Sequence, residues 1–349
     1  MAGTIDTYLS RLRAGGQFSG VVLVVYEGKI VIEQGYGWAD RAEGRPNLPT
    51  TTFRIASLTK AFTAMAIVML HEQGRLDLAE PICPYLRGCP RAWQPITIHQ
   101  LLVHTSGIPD YTATPGFWED VSQRAVSAEE LIALVADQPL TGVPGARFAY
   151  SNTGYVILGT IIGRVASPSL PAERAYLAFL EQRIFAPLAM DDTGSAVDQA
   201  DATRLALGYR TGDERAAYCD PTSFFAMGDL YATAEDLYRW GEALRTDRLV
   251  PPEARARLFA PHTATPGFQT GYGYGWFVSD LGGERRVWHA GAAPGYRSYM
   301  HLELGAETMV IVLSNDEAAP VVPIGRELAA VLIRHAKDWR HGEEGGPGA

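Results

Sequence analysis

A hydroxyl nucleophile with an amine three residues downstream is the first chemistry this chain offers. Ser57-Leu58-Thr59-Lys60 follows a short extended stretch, Arg54-Ile55-Ala56, and opens an apolar run with helical spacing. Residues three apart on a helix share a face, with their Cβ atoms about 5–6 Å apart. A serine hydroxyl is a weak nucleophile until a neighbouring base takes its proton. A lysine can be that base when burial disfavours its charge and frees its lone pair. The helix start adds N–H groups for a developing oxyanion. The chain has 14 serines and three lysines in 349 residues, so chance gives roughly 0.1 such spacing.

A second group is Tyr150-Ser151-Asn152, after a Pro144-Gly145 loop and just before the apolar run 154–165. A loop that ends at a helix start can present a phenol and an amide. Tyr150 would act as general base or proton shuttle, and Asn152 would hold Lys60 and a substrate carbonyl. Read alone, Asn152 is more readily a helix cap beside a core tyrosine. A third group, Trp288-His289-Ala290-Gly291-Ala292, ends a strand. Gly291 would let a substrate backbone come close. The N–H of Ala292 would join that of Ser57 as an oxyanion donor, and His289 would polarise or relay a proton. Alone, a histidine among aromatics reads as a core residue.

These residues need elements to hold them. The β-branched runs 20–26 and 30–36, separated by Glu27-Gly28-Lys29, predict a hairpin. Short runs at 275–278, 286–289, 297–304 and 309–314 predict strands near the other end, with a turn at Gly305-Ala306-Glu307. Between them, 58–73, 128–136, 154–165, 172–182 and 234–244 have helical spacing, and 322–339 is a final amphipathic helix. Thr233 with Asp236 has the form of a capping box. The predicted fold class is α/β, of the α+β type. One antiparallel sheet is built from N- and C-terminal strands, flanked by helices, with a helical region inserted. Residues 1–340 form one catalytic domain, with a sheet part at about 1–56 and 245–340 and a mostly helical part at about 57–244. Residues 341–349 read as a flexible, Gly-rich tail.

With the three groups in that order, SLTK at 57–60, YSN at 150–152 and HAG at 289–291, the chain resembles the serine β-lactamase-like family. That family also holds DD-peptidases and related esterases. The tyrosine of the second group, and the stretches 101–108, 228–231 and 294–298, resemble its class C-like branch. The resemblance spans about residues 17 to 316. It implies a β-lactamase/transpeptidase-like fold, a Ser57 acyl-enzyme, proton handling by Lys60 and Tyr150, and no cofactor. The chain departs from the branch at the third group. β-Lactamases of the branch carry Lys where His289 stands, and its DD-peptidases often follow His with Thr, where Ala290 stands. Ala292 likewise replaces a residue with a hydroxyl. Those hydroxyls help to hold a substrate carboxylate, which favours an esterase or amidase over a penicillinase or D-Ala-D-Ala peptidase.

Composition excludes other classes. A net charge of −9 and a pI near 5.4 give no electrostatic footprint for nucleic acid or anionic membranes. No apolar run reaches the length of a membrane span. The start, Met1 to Asp6, has no basic or apolar signal region, which predicts a cytoplasmic protein. Cys83, Cys89 and Cys219 read as three inert thiols, although the first two are close enough to be bridged. The histidine spacing supports no metal site. Ser106, in a His-Thr-Ser-Gly turn, reads as turn chemistry. Tyr111, Trp118, Phe224, Tyr272 and Tyr296 either line a cleft or pack.

The sequence therefore predicts a serine hydrolase of small esters or amides, of carboxylesterase type. The alternatives are a D-Ala-D-Ala carboxypeptidase or D-aminopeptidase, a weak β-lactamase, or a non-catalytic scaffold with the same fold.

Overall fold

The valine-rich run Gly20–Tyr26 sits inside a sheet and is buried on both faces. It pairs with Lys29–Tyr36 on one side and Thr308–Ser314 on the other. Side chains alternate across a strand, so a strand covered on both faces reads as a continuous apolar run. Val21, Leu23 and Val25 enter one core with the inserted helices. Val22 and Val24 enter a second core with the terminal helices, against Ile5, Leu9, Ile324 and Leu328. The turn between the first two strands has Glu27 and Gly28 both at positive φ, 50° and 73°, as a two-residue type I′ hairpin requires.

The computed structural model describes residues 1–197, 203–266, 270–281 and 284–344. Among them the main sheet has eight strands. Their spatial order is Thr263–Thr265, Thr270–Tyr272, Phe277–Leu281, Glu284–Ala293, Tyr296–Glu303, Thr308–Ser314, Gly20–Tyr26 and Lys29–Tyr36, antiparallel throughout. The protein is thus an α/β molecule with an antiparallel sheet drawn from both ends of the chain, flanked by helices, with a helical region inserted. Helix Thr59–Glu72 runs through the main core, with every residue from Thr59 to Leu70 buried. A helix apolar all round needs such a central place.

Several expectations change. The N-terminal residues form a helix, Ala2–Ala14, which the sequence reading left out; its buried stripe is narrow, Ile5 and Leu9. Thr233 does cap its helix by accepting from the Asp236 N–H. The reciprocal bond of a capping box is not made, because the Asp236 carboxylate accepts from Thr193 and the Asp192 N–H. Cys83 and Cys89 are disulfide-bonded, which corrects the reading of three free thiols; a separation of six residues lets their Cα atoms come within 5.3 Å. Only Cys219 is free, and it is buried. The last helix runs from Val321 to Glu344, and the remainder of the expected tail, 345–349, lies outside the described residues. Among the described residues, no helix is long and apolar enough to cross a membrane.

Candidate active site

Ser57 is held from two sides. The strand Phe53–Arg54 pairs with Leu230–Ala232, and the Ile55 N–H donates to the Leu230 carbonyl. The Ile55 carbonyl accepts from Ser298 Oγ at 2.6 Å, which ties this edge to the main sheet. Ala56 then takes a left-handed φ of 48°, a conformation that costs a non-glycine residue on the order of 1 kcal/mol. That bend starts the short turn Ala56–Leu58, and helix Thr59–Glu72 follows directly.

Lys60 is wholly buried one turn below. Its Nζ lies 3.0 Å from Ser57 Oγ, 2.9 Å from Asn152 Oδ1 and 2.9 Å from the Met227 carbonyl. The amide oxygen and the carbonyl can only accept, so they take two N–H bonds of the amine. The remaining tetrahedral position faces Ser57, and in the neutral amine it holds the lone pair. Burial lowers the Lys60 pKa to about 7, partly opposed by the Asp110 carboxylate, which favours the charge.

Asn152 starts helix Asn152–Ala166, one residue after the cap Ser151, whose Oγ accepts from the Gly154 N–H. Its amide orientation is set by chemistry. Oδ1 accepts from Lys60, while Nδ2 and the backbone N–H donate to Asp110 Oδ2 at 2.9 and 3.2 Å. Tyr150 stands beside this pair, with Lys60 Nζ 5.0 Å from its ring centre. Burial pushes the Tyr150 phenol well above its ordinary range; the neighbouring Ser57 side chain draws it back, and the Asp110 charge pushes it up.

His289 is buried near this group but does not touch Ser57 through a hydrogen bond. Its Nε2 lies 3.2 Å from the Tyr272 hydroxyl and its Nδ1 2.8 Å from the Ala290 carbonyl. Burial, then the Lys60 charge, lower its pKa to about 3. Gly291 faces the nucleophile directly: an added Cβ would collide with the Ile55 carbonyl and Ser298 Oγ and sit 3.0 Å from Ser57 N. Strand Phe277–Leu281 pairs only as far as Trp288, so beyond it this edge of Glu284–Ala293 meets the Ser57 turn instead. Pro294-Gly295 joins Ala293 to Tyr296, its register partner. A two-residue loop makes that closing pair the bonded one. By the alternation of an antiparallel ladder, the Ala292 N–H then points off the free edge.

The sequence-predicted residues Ser57, Lys60, Tyr150 and Asn152 therefore meet, with Gly291 and Ala292 alongside and His289 one ring further away. Sequence reasoning missed Asp110, His104 and the Met227 carbonyl. Asp110 had a local signal, an Asp-x-Thr turn in which it accepts from the Thr112 N–H; a backbone carbonyl has none. Of the five cleft aromatics, Tyr111, Phe224, Tyr272 and Tyr296 are buried. The Tyr111 and Tyr296 hydroxyls donate to the Ser223 and Ala206 carbonyls. Trp118 alone of the five is exposed, against Phe224. Ser106 is a turn residue whose Oγ accepts from the Ile108 N–H. Among the described residues, no cluster of side chains could hold a metal ion.

An antiparallel sheet from both termini, an inserted helical region, and a buried lysine against a helix-start serine define a serine β-lactamase-like hydrolase. The chain belongs to the Beta-lactamase family, which it matches over residues 5–333. It is 30% identical to penicillin-binding protein 4* of Bacillus subtilis (strain 168), over 90% of this chain and 71% of that one. Among solved structures it is similar to an octameric penicillin-binding protein homologue from Pyrococcus abyssi, with a TM-score of 0.83, 27% identity, and 95% of this chain and 77% of that one covered. It is also similar to the D-amino acid amidase from Ochrobactrum anthropi SV3 complexed with L-phenylalanine amide. There the TM-score is 0.82, the identity 25%, and the coverage 96% of this chain and 99% of that one.

Proposed function

We propose that the protein hydrolyses small esters through a Ser57 acyl-enzyme, with Lys60 as general base and Tyr150 as proton donor to the leaving group. The observation that carries this is the bonding of Lys60: two obligate acceptors direct its third position at Ser57 Oγ. Neutral Lys60 takes the Ser57 proton as Oγ bonds to the carbonyl carbon. The tetrahedral oxyanion sits between the Ser57 and Ala292 N–H groups. Tyr150 keeps its proton at neutral pH because its pKa is raised. It gives that proton to the leaving oxygen as the C–O bond breaks, and the proton held on Lys60 replaces it. Water then attacks the acyl carbon by the same steps in reverse, and Ser57 is restored.

Ester preference rests on two features. Ala290 and Ala292 offer no hydroxyl to a substrate carboxylate, and a charged group desolvated without a partner loses binding. Esters also have an easier leaving group than amides. The similarity to a D-amino acid amidase makes D-amino acid amides the second candidate class. The test is kcat/KM for p-nitrophenyl butyrate against nitrocefin, a D-Ala-D-Ala peptide and D-phenylalanine amide. The ester should be turned over most efficiently. Greater efficiency on any of the others refutes the ester reading while leaving Ser57 chemistry intact.

A further inference from the structure

Three buried rings, His104, Tyr272 and His289, form a chain of hydrogen bonds beside Tyr150. His104 Nε2 and Tyr272 Oη are 3.2 Å apart, as are Tyr272 Oη and His289 Nε2. Each end of the chain is a backbone group of fixed polarity. The Ser151 N–H donates to His104 Nδ1 at 3.1 Å, and His289 Nδ1 lies 2.8 Å from the Ala290 carbonyl. Those two ends fix every proton between them. An N–H cannot accept, so His104 Nδ1 is unprotonated and its proton sits on Nε2. A carbonyl cannot donate, so His289 carries its proton on Nδ1 and its Nε2 accepts. Tyr272 therefore accepts from His104 and donates to His289. Burial, then the Lys60 charge, push both imidazoles below their ordinary range, in accord with two neutral rings.

His104 also holds the backbone on both sides of Tyr150. Its carbonyl accepts from the Ala149 N–H at 2.8 Å, and its Nδ1 accepts from the Ser151 N–H. Between those bonds its imidazole lies on the Tyr150 ring, with centres 4.2 Å apart and planes 29° apart. To do this His104 takes a left-handed φ of 56°. A non-glycine residue keeps such a conformation only where its surroundings enforce it.

We propose that His104 is a positioning residue that clamps Tyr150 beside Ser57, and that Tyr272 locks His104 in the one tautomer able to accept from Ser151. The proposal rests on the reading that Ser57 is acylated with Tyr150 as its proton carrier. Misplacing a catalytic group by 1 Å can slow a reaction about a hundredfold. The first test needs no variant: ¹⁵N NMR of histidine-labelled protein at pH 7 reads the tautomers directly. His104 should be neutral with its proton on Nε2, and His289 neutral with its proton on Nδ1. The second is Tyr272→Phe, which removes only the hydroxyl. Its Ser57 should be labelled by a fluorophosphonate at least about tenfold more slowly, at an unchanged saturation constant and with native near-ultraviolet circular dichroism. A charged imidazole, either opposite tautomer, or a folded Tyr272→Phe labelled at the wild-type rate overturns the proposal. A wild-type chain that takes no label contradicts the Ser57 reading instead, and the NMR spectrum still decides this one.

Discussion

Raising the pH from 6 to 8 should speed acylation of Ser57 about tenfold along a one-proton limb centred near pH 7. The group responsible is Lys60, lowered from 10.5 to about 7 by burial. Holding its charge in that site costs on the order of 5 kcal/mol relative to water. Only the neutral amine has a lone pair to take the Ser57 proton. A base with a pKa near 7 is about one-tenth neutral at pH 6 and about nine-tenths neutral at pH 8, which sets the size of the rise. Asp229, which burial raises to about 7, also titrates in this window, but its carboxylate accepts from Ser195 and the Ala226 N–H and is not bonded to Ser57 or Lys60. His289 titrates near pH 3 and Tyr150 lies above its ordinary range. The assay is the second-order rate of labelling by a fluorophosphonate, with Ser57→Ala as the blank. A profile flat from pH 6 to 8, or a limb centred near 10, refutes the assignment of Lys60 as a buried base.

Lys60→Ala and Tyr150→Phe should each lower kcat by at least about a hundredfold, and the double variant should be little slower than either, because groups on one proton path are not additive; additive losses argue for separate paths. Lys60 should also make stability depend on pH. The unfolded chain keeps the Lys60 proton up to about 10.5 and the folded chain loses it near 7, so stability rises between those values by up to about 1.4 kcal/mol per pH unit. Urea unfolding at pH 7 and 9 should show that rise reduced in Lys60→Met by about 2 kcal/mol; equal slopes count against a buried charge. Thiol titration of the unfolded protein should find one thiol, Cys219, without reductant and the Cys83 and Cys89 thiols as well after reduction; three thiols without reductant would remove the disulfide.

What the sequence showed best was whatever repeats at short range. The hairpin 20–36 and helices such as Ala128–Ala136 announce themselves by period and turn residues, and the structure has them there. Ser57 and Lys60 are one helical turn apart, so their meeting was legible from spacing alone. The partners that orient Lys60 are not local. Asn152 and Met227 lie 92 and 167 residues away, and one of the two contacts is a carbonyl that any residue would carry. Helix Ala2–Ala14 was missed because a stripe of Ile5 and Leu9 is too narrow to stand out in a polar segment. His289 was read as a direct participant because its place in the motif says nothing of Tyr272, which takes up its Nε2 from another strand. His104 stands in a His-Thr-Ser-Gly turn, and its left-handed backbone has no mark in the residue type.

Intact-mass analysis after treatment with a fluorophosphonate tests the central claim most directly. The wild-type chain should gain a single adduct, peptide mapping should place it on Ser57, and Ser57→Ala should gain none while keeping its fold. An adduct on any other residue, or one that survives in Ser57→Ala, would contradict the account.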